Sequence, residues 1–219
     1  MKQKLFFYAA AIIMVIFSAC KKDLPTASFT HSSDSYEEGD TINFASTSSN
    51  ADNFQWDFGD GSTSTDENPW HIFNSTGSFE VSLKVTNDDG SDETTSSVTI
   101  KAPTILAFEV VKGETEETLP ACGIIVFDNL TDFQNVENPV AVGYTDNDGY
   151  IDFYHAKAIV YYLYAYKEET GGVWVFGGST NKIILNQLNF YTVNAEWDPD
   201  GSKSAGFQTK LSKLLEKIN

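Results

Sequence analysis

Apolar and polar residues alternate along much of this chain with the period of two that marks a half-buried β-strand. Ala27-Ser28-Phe29-Thr30-His31 and Thr41-Ile42-Asn43-Phe44 show it, with the turn-forming Glu38-Gly39-Asp40 between them. Residues 53–58 form the next predicted strand. Trp56 and Phe58, two apart, project to one face, and Asp60-Gly61 tolerates the positive φ of a tight corner. Residues 79–87 carry the clearest pattern: Phe79, Val81, Leu83 and Val85 share one face, and polar residues occupy the other. Asn87-Asp88-Asp89-Gly90 then reads as a hairpin turn, with residues 95–100 as the returning partner. Short alternating strands punctuated by turns predict a β-sandwich.

Ala102-Pro103 interrupts the pattern and marks an expected domain boundary. Beyond it, strands are predicted over residues 105–111, 123–127, 141–145, 150–153, 158–166, 173–176, 182–185 and 190–197. Gly171-Gly172 and Gly177-Gly178 read as turns, and Asp198-Pro199-Asp200-Gly201 closes the set. The period then changes. Phe207, Leu211, Leu214, Leu215 and Ile218 recur at three and four, with Lys210, Lys213 and Lys217 between them, which predicts a short amphipathic helix over residues 203–219. Such a helix either docks on its own acidic domain or engages a partner protein or lipid surface. The expected fold class is all-β: two tandem β-sandwich domains, residues 26–101 and 104–199, followed by a C-terminal amphipathic helix.

The first residues have a different character. Met1-Lys2-Gln3-Lys4 is basic, and residues 5–17 are an apolar run. About 20 residues are needed to span a bilayer, so residues 1–19 read as a signal peptide rather than a transmembrane helix. Phe17-Ser18-Ala19-Cys20 resembles the lipobox of bacterial lipoproteins, with phenylalanine where leucine is commoner. That resemblance implies cleavage before Cys20 and lipidation of its thiol. The alternative is ordinary secretion with a cysteine near the new terminus. Residues 20–25 would then be a tether, and loss of Lys2 and Lys4 would take the net charge from −17 to −19. Each buried acyl methylene contributes about 0.8 kcal/mol, so several chains hold a protein on a membrane without crossing it. Lys21-Lys22-Asp23 partly resembles the tag that sends some lipoproteins to the outer face of the outer membrane. The expected location is the outer membrane, lipid-anchored, with surface display as a further expectation.

Trp56-Asp57-Phe58-Gly59-Asp60-Gly61, Asn68-Pro69-Trp70-His71-Ile72-Phe73, Gly77-Ser78-Phe79-Glu80-Val81 and Val85-Thr86-Asn87 resemble, in order and spacing, the pattern of a PKD domain. This immunoglobulin-like sandwich implies a spacer or binding module without catalysis. Phe73 and Phe79 stand where tyrosine is usual, which removes two hydroxyls. Trp56 reads as a core residue, or alternatively a sugar-stacking platform. Asp57 and Asp60 read as acceptors for turn amides, with calcium as the alternative that the resemblance implies. His71, two residues after Pro69 on the segment entering the core, reads as structural. Trp70 departs from the family pattern, and an exposed indole there is a candidate contact for glycan or protein.

In the second region, residues 104–197 resemble the carboxypeptidase regulatory-like or transthyretin-like sandwich, a seven-strand non-catalytic module. Tyr161, Tyr162, Tyr164 and Tyr166 crowd one strand. Tyr162, Tyr164 and Tyr166 lie on a common face and read either as sheet packing or as a contact surface, and Trp174 is a further binding candidate. Asp146-Asn147-Asp148-Gly149 invites a calcium-loop reading, but with Gly149 at position 6 a tyrosine falls at position 1 and no acidic residue closes the loop, so a hairpin turn explains it better.

Charge and composition narrow the function. The 41% hydrophobic and 14% aromatic content suffices for packed cores rather than a disordered chain. All fourteen basic residues are lysines, so the phosphate-binding guanidinium fork is missing and nucleic acid is excluded as an expected partner. With Cys20 lipidated, Cys122 is alone and reads as a small core residue. His31, His71 and His155 have no metal-ligand spacing, and neither a nucleophile elbow nor a phosphate-binding glycine loop occurs. No cofactor and no catalysis are expected. Three roles remain: adhesion to or assembly with an envelope protein, carbohydrate binding through exposed aromatics, and a hydrolase of unrecognised type.

Overall fold

The structure is a computed structural model and describes residues 23–33 and 35–218. The expectations on residues 1–22, Cys20 among them, lie outside the described residues. Eight strands come first: β1 (Phe29–His31), β2 (Tyr36–Glu37), β3 (Thr41–Ser46), β4 (Asn53–Asp57), β5 (Thr63–Ser64), β6 (Trp70–Ile72), β7 (Gly77–Asn87) and β8 (Gly90–Lys101). They form a three-stranded sheet, β1-β3-β6, and a five-stranded sheet, β2-β8-β7-β4-β5. Nine elements follow: β9 (Ile105–Lys112), β10 (Gly123–Phe127), α1 (Leu130–Asn135), β11 (Ala141–Tyr144), β12 (Tyr150–Phe153), β13 (Tyr162–Glu169), β14 (Gly172–Ser179), β15 (Leu188–Asp198) and α2 (Ala205–Ile218). The protein is thus all-β, with two sandwich-like domains and a short C-terminal helix.

By packing, the chain divides into two compact units. Of the described residues, one holds 23–32 with Asn43–Trp70 and Glu80–Ser97; the other holds 33 and 35–42, His71–Phe79 and 98–218. In the first unit, the β4 alternation sends Trp56 inward with no exposed surface. Its ring lies 5.1 Å from Phe29, 5.7 Å from Phe44 and 6.5 Å from Phe58, and its Nε1 donates to the Asp66 carbonyl at 2.8 Å. The indole is therefore both packed and hydrogen-bonded, as a buried tryptophan needs to be. Val81, Leu83 and Val85 of β7 are fully buried, as their spacing predicts. After Asn87, the Asn87 Oδ1 accepts from the amides of Asp89 and Gly90, closing the β7–β8 turn.

In the larger unit, β9 to β15 form one sheet of order β11-β10-β13-β14-β15-β9-β12. Its hinge is β15. Residues Leu188 to Ala195 pair parallel with β9, and Val173 to Val175 of β14 pair with the last three residues, Glu196 to Asp198. The sheet folds over a core of Leu106, Phe108, Val110, Ile124, Val126, Leu163, Ala165 and Val193. Four expectations need correction. Gly177-Gly178 form no turn: both lie inside β14, paired with Tyr164 and Leu163 of β13, where the missing side chains leave room for neighbouring rings. Residues 158–161 precede β13 rather than belonging to it, and the Tyr161 amide donates to the Thr180 hydroxyl instead of to a ladder partner. Residues 182–185 form no strand: the Asn189 side chain bonds both the amide and the carbonyl of Ile184, at 2.8 and 2.9 Å, and so supplies the partners a ladder would have given. Nor is the turn at residues 145–149 a hairpin, because β11 and β12 stand at opposite ends of the strand order.

The corner after Trp56 depends on glycine. Gly59 has φ +78°, and a Cβ there would lie 2.6 Å from the Glu80 carbonyl oxygen, whereas Gly61, at φ +93°, faces open space. Gly59→Ala is expected to lower unfolding stability by about 2–4 kcal/mol, from strain and backbone collision together, and Gly61→Ala by about 1 kcal/mol from strain alone. Urea unfolding of the two variants tests this, and equal losses would contradict it.

Candidate functional site

The larger sheet has a second apolar face. Ile125 and Phe127 of β10 and Tyr162, Tyr164 and Tyr166 of β13 point away from the main core, as the alternation on each strand requires, and α1 and α2 cover them. Tyr164 is held between Phe133 of α1, stacked at 4.4 Å, and Phe207 of α2, at 4.2 Å. Glycines opposite the tyrosines make room for them: a Cβ at Gly123 would fall 2.4 Å from the Tyr166 ring, and one at Gly177 would fall 2.8 Å from Tyr164. Leu211 and Leu214 complete the contact, and Lys210 Nζ donates to the Gln134 carbonyl at the end of α1.

Helix α2 is preceded by Ser204, whose amide and hydroxyl both donate to Asp198 Oδ2, at 2.8 and 2.7 Å. Asp198 is 2% exposed, and its Oδ1 is buried with no hydrogen-bond partner. Between the start of α2 and the sheet lies a groove of about 530 Å³, bounded by Tyr164, Val175, Asn194, Glu196, Asp198, Lys203 and Phe207 among others. Of these groove residues only Tyr164 is a binding candidate from sequence; Phe207 reads there as part of the apolar helix face and Asp198 as part of the closing turn. Asn194, Glu196 and Asp198 share one face of β15, a polar alternation on a strand whose other face, Val193 and Ala195, reads simply as core.

The residues singled out from sequence do not converge. Trp70 is 65% exposed on β6. Trp174 is half-buried against Trp197, at 5.1 Å, with its Nε1 on Glu169 and Lys112 Nζ 5.6 Å from its ring centroid. Tyr162, Tyr164 and Tyr166 lie against the helices, and their ring faces are engaged within the protein. Asp57 accepts from the Gly59 amide at 2.8 Å and Asp60 from the Ser62 amide at 2.9 Å, so both carboxylates serve the turn. Pro69 and Phe58 are buried, and the Pro69 carbonyl accepts from Phe44. His71 packs edge-on to Phe73 at 4.7 Å. Asp146 Oδ1 accepts from the amides of Asp148 and Tyr150, both at 2.9 Å, so this acidic loop also spends a carboxylate on its own backbone. Among the described residues, no three His, Cys, Asp or Glu side chains come together as metal donors.

Two further polar arrangements lie inside the larger unit. Thr145 Oγ1 accepts from the Cys122 amide at 2.9 Å and donates to the Leu119 carbonyl at 2.7 Å. Glu37 receives Thr104 through both its amide and its hydroxyl, and His155 Nδ1 lies 3.2 Å from Glu37 and 3.5 Å from Asp40.

Residues 22–102 match the family model described as PKD domain. This stretch is a PKD domain. A microbial collagenase of Vibrio alginolyticus is 44% identical over 70 residues, 29% of this chain and 9% of that protein. Collagenase ColA of Bacillus cereus is 30% identical over 157 residues, 66% of this chain and 16% of that protein. The chain thus spans a small fraction of the length of the collagenases it matches. Among solved structures, the PKD1 domain of the Vibrio cholerae metalloprotease PrtV is 33% identical, with a TM-score of 0.31, covering 35% of this chain and 95% of that one. The Trp56 to Gly61 corner and exposed Trp70 lie in the PKD domain; the groove lies outside it.

Burial pushes the Cys122 thiol from 9.0 up to about 12 and raises the hydroxyls of Tyr161, Tyr164 and Tyr166 above their ordinary 10.0. In each the fold favours the neutral form, so the stabilisation is complete below the ordinary values and is lost as pH rises from them through the raised values, the unfolded chain releasing its protons first. Between about pH 9 and 12 the protein is expected to unfold, with tyrosinate absorbance rising in the same step as β-sheet ellipticity falls. Cys122 should stay unlabelled by a thiol reagent at pH 8 until that step. Labelling of the folded protein at the rate of a free peptide thiol would contradict this.

Proposed function

We propose that this chain is a non-catalytic binding lipoprotein, held at the outer membrane by acyl chains on Cys20, which adheres to or assembles with an envelope protein. The observation that carries the reading is Trp70: a large indole left 65% exposed on the PKD domain, where contact with a partner would bury it. The basic, apolar and small-residue order of residues 1–20 supports the anchor. The likeness of residues 104–197 to carboxypeptidase regulatory-like modules belongs to the same reading. The apolar face of α2 is not the partner surface in this account, because Phe207, Leu211 and Leu214 are spent on the chain's own sheet. A second reading, carbohydrate binding, is favoured by the groove beside Asp198.

The test is a crosslinking pull-down from intact cells with the unmodified chain, Cys20→Ser and Trp70→Ala. Cys20→Ser should move the protein out of the membrane fraction, and Trp70→Ala should reduce capture of a specific envelope protein by about tenfold, as loss of a central aromatic anchor does. Membrane retention of Cys20→Ser would overturn the anchor, and unchanged capture by Trp70→Ala would overturn the surface.

A further inference from the structure

We propose that the groove between the outer face of β15 and the first turn of α2 binds a saccharide. The inference rests on the reading of the chain as a binding module and gives that module a second site. At about 530 Å³ the groove falls within the range of small-ligand sites. One side of it is aromatic, formed by the edges of Tyr164 and Phe207, whose faces pack on each other at 4.2 Å. The other is a polar row: Asn194, Glu196 and Asp198 are two residues apart on one strand, so they project in the same direction at intervals of about 6.8 Å. Lys203 and Ser204 line the end of the groove at the start of the helix.

Asp198 is the decisive group. One carboxylate oxygen takes both donors of Ser204; the other, in a residue 2% exposed, receives no donor from the protein. Burying an acceptor without a donor is unfavourable, so the group that completes Asp198 brings an O–H or N–H. The lining also mixes acceptors (Glu196, Asp198), a donor (Lys203) and an amide that does both (Asn194). A simple cation would find Lys203 opposed to it, and a simple anion would find two carboxylates. A sugar offers hydroxyls that donate and accept alternately around its ring, which matches the polar row, and C–H groups that suit contact with the aromatic edge.

The test uses the full chain carrying Cys20→Ser, titrated with cellohexaose, xylohexaose, mannohexaose and chitohexaose by saturation-transfer NMR and calorimetry. At least one oligosaccharide should bind. Asn194→Ala/Glu196→Ala, which alters two exposed side chains and leaves the Asp198–Ser204 contact in place, should weaken that binding by about tenfold or more. Trp70→Ala should leave it unchanged. No binding by any of the four, binding indifferent to the double variant, or binding lost only in Trp70→Ala would each overturn the groove. Protein capture in cells depends on Trp70 and not on Asn194 or Glu196, so failure of the groove and failure of the adhesion reading are separately visible.

Discussion

The larger unit depends on Tyr164, held between Phe133 and Phe207 at 4.4 and 4.2 Å. A sheet that is apolar on both faces needs a cover on each, and here the fold of the sheet covers one while α1 and α2 cover the other. The dependence runs both ways. Helix α2 has fourteen residues, near the length at which an isolated helix is marginal in water, and it contains Gly206. Thr209 and Ser212 also turn their hydroxyls back onto the helix carbonyls four residues earlier, a local competition that does little for helix stability. Docking on the tyrosine strand therefore carries the helix, and the helix shields the tyrosines. The groove is a by-product of that docking, since α2 starts at the end of β15 through the Asp198–Ser204 bonds and must cross the sheet from there.

The PKD domain's corner is organised by a different residue. Trp56 is buried, ringed by Phe29, Phe44 and Phe58 and pinned through its N–H, and the chain immediately after it reverses with Asp57 and Asp60 accepting turn amides. The same use of aspartate recurs at Asp146 and at Asp198. A large net negative charge is thus partly local backbone chemistry: many carboxylates replace water at amides the turns would leave unpaired. What separates Asp198 from the others is burial with one oxygen to spare.

Much of this was legible because a period of two is a strong signal when a strand has one core face. The strands Thr41–Ser46 and Gly77–Asn87 stand where alternation placed them, with Ile42, Phe44, Val81, Leu83 and Val85 buried. Residues 182–185 misled because an apolar run does not say what satisfies its backbone; the side chain of Asn189 did so from outside the run. Helix α1 was invisible because six residues are too few to show a period, and its Asn129 cap sits in a segment that reads as turn. The tyrosine strand left packing and contact surface both open, and only the position of α2 shows how the rings are used. The groove residues went unnoticed for a related reason: Asn194 and Glu196 are ordinary outward polar positions until a helix from later in the chain passes beside them.

Amide hydrogen exchange across α2 in the full chain, compared with that of β13, is the most direct measurement of the central claim that helix and tyrosine face form one structure. The account predicts that amides of residues 208–216 exchange as slowly as those of β13, to within the same cooperative opening. Exchange of the helix at the rate of an unstructured peptide, with β13 still protected, would contradict it.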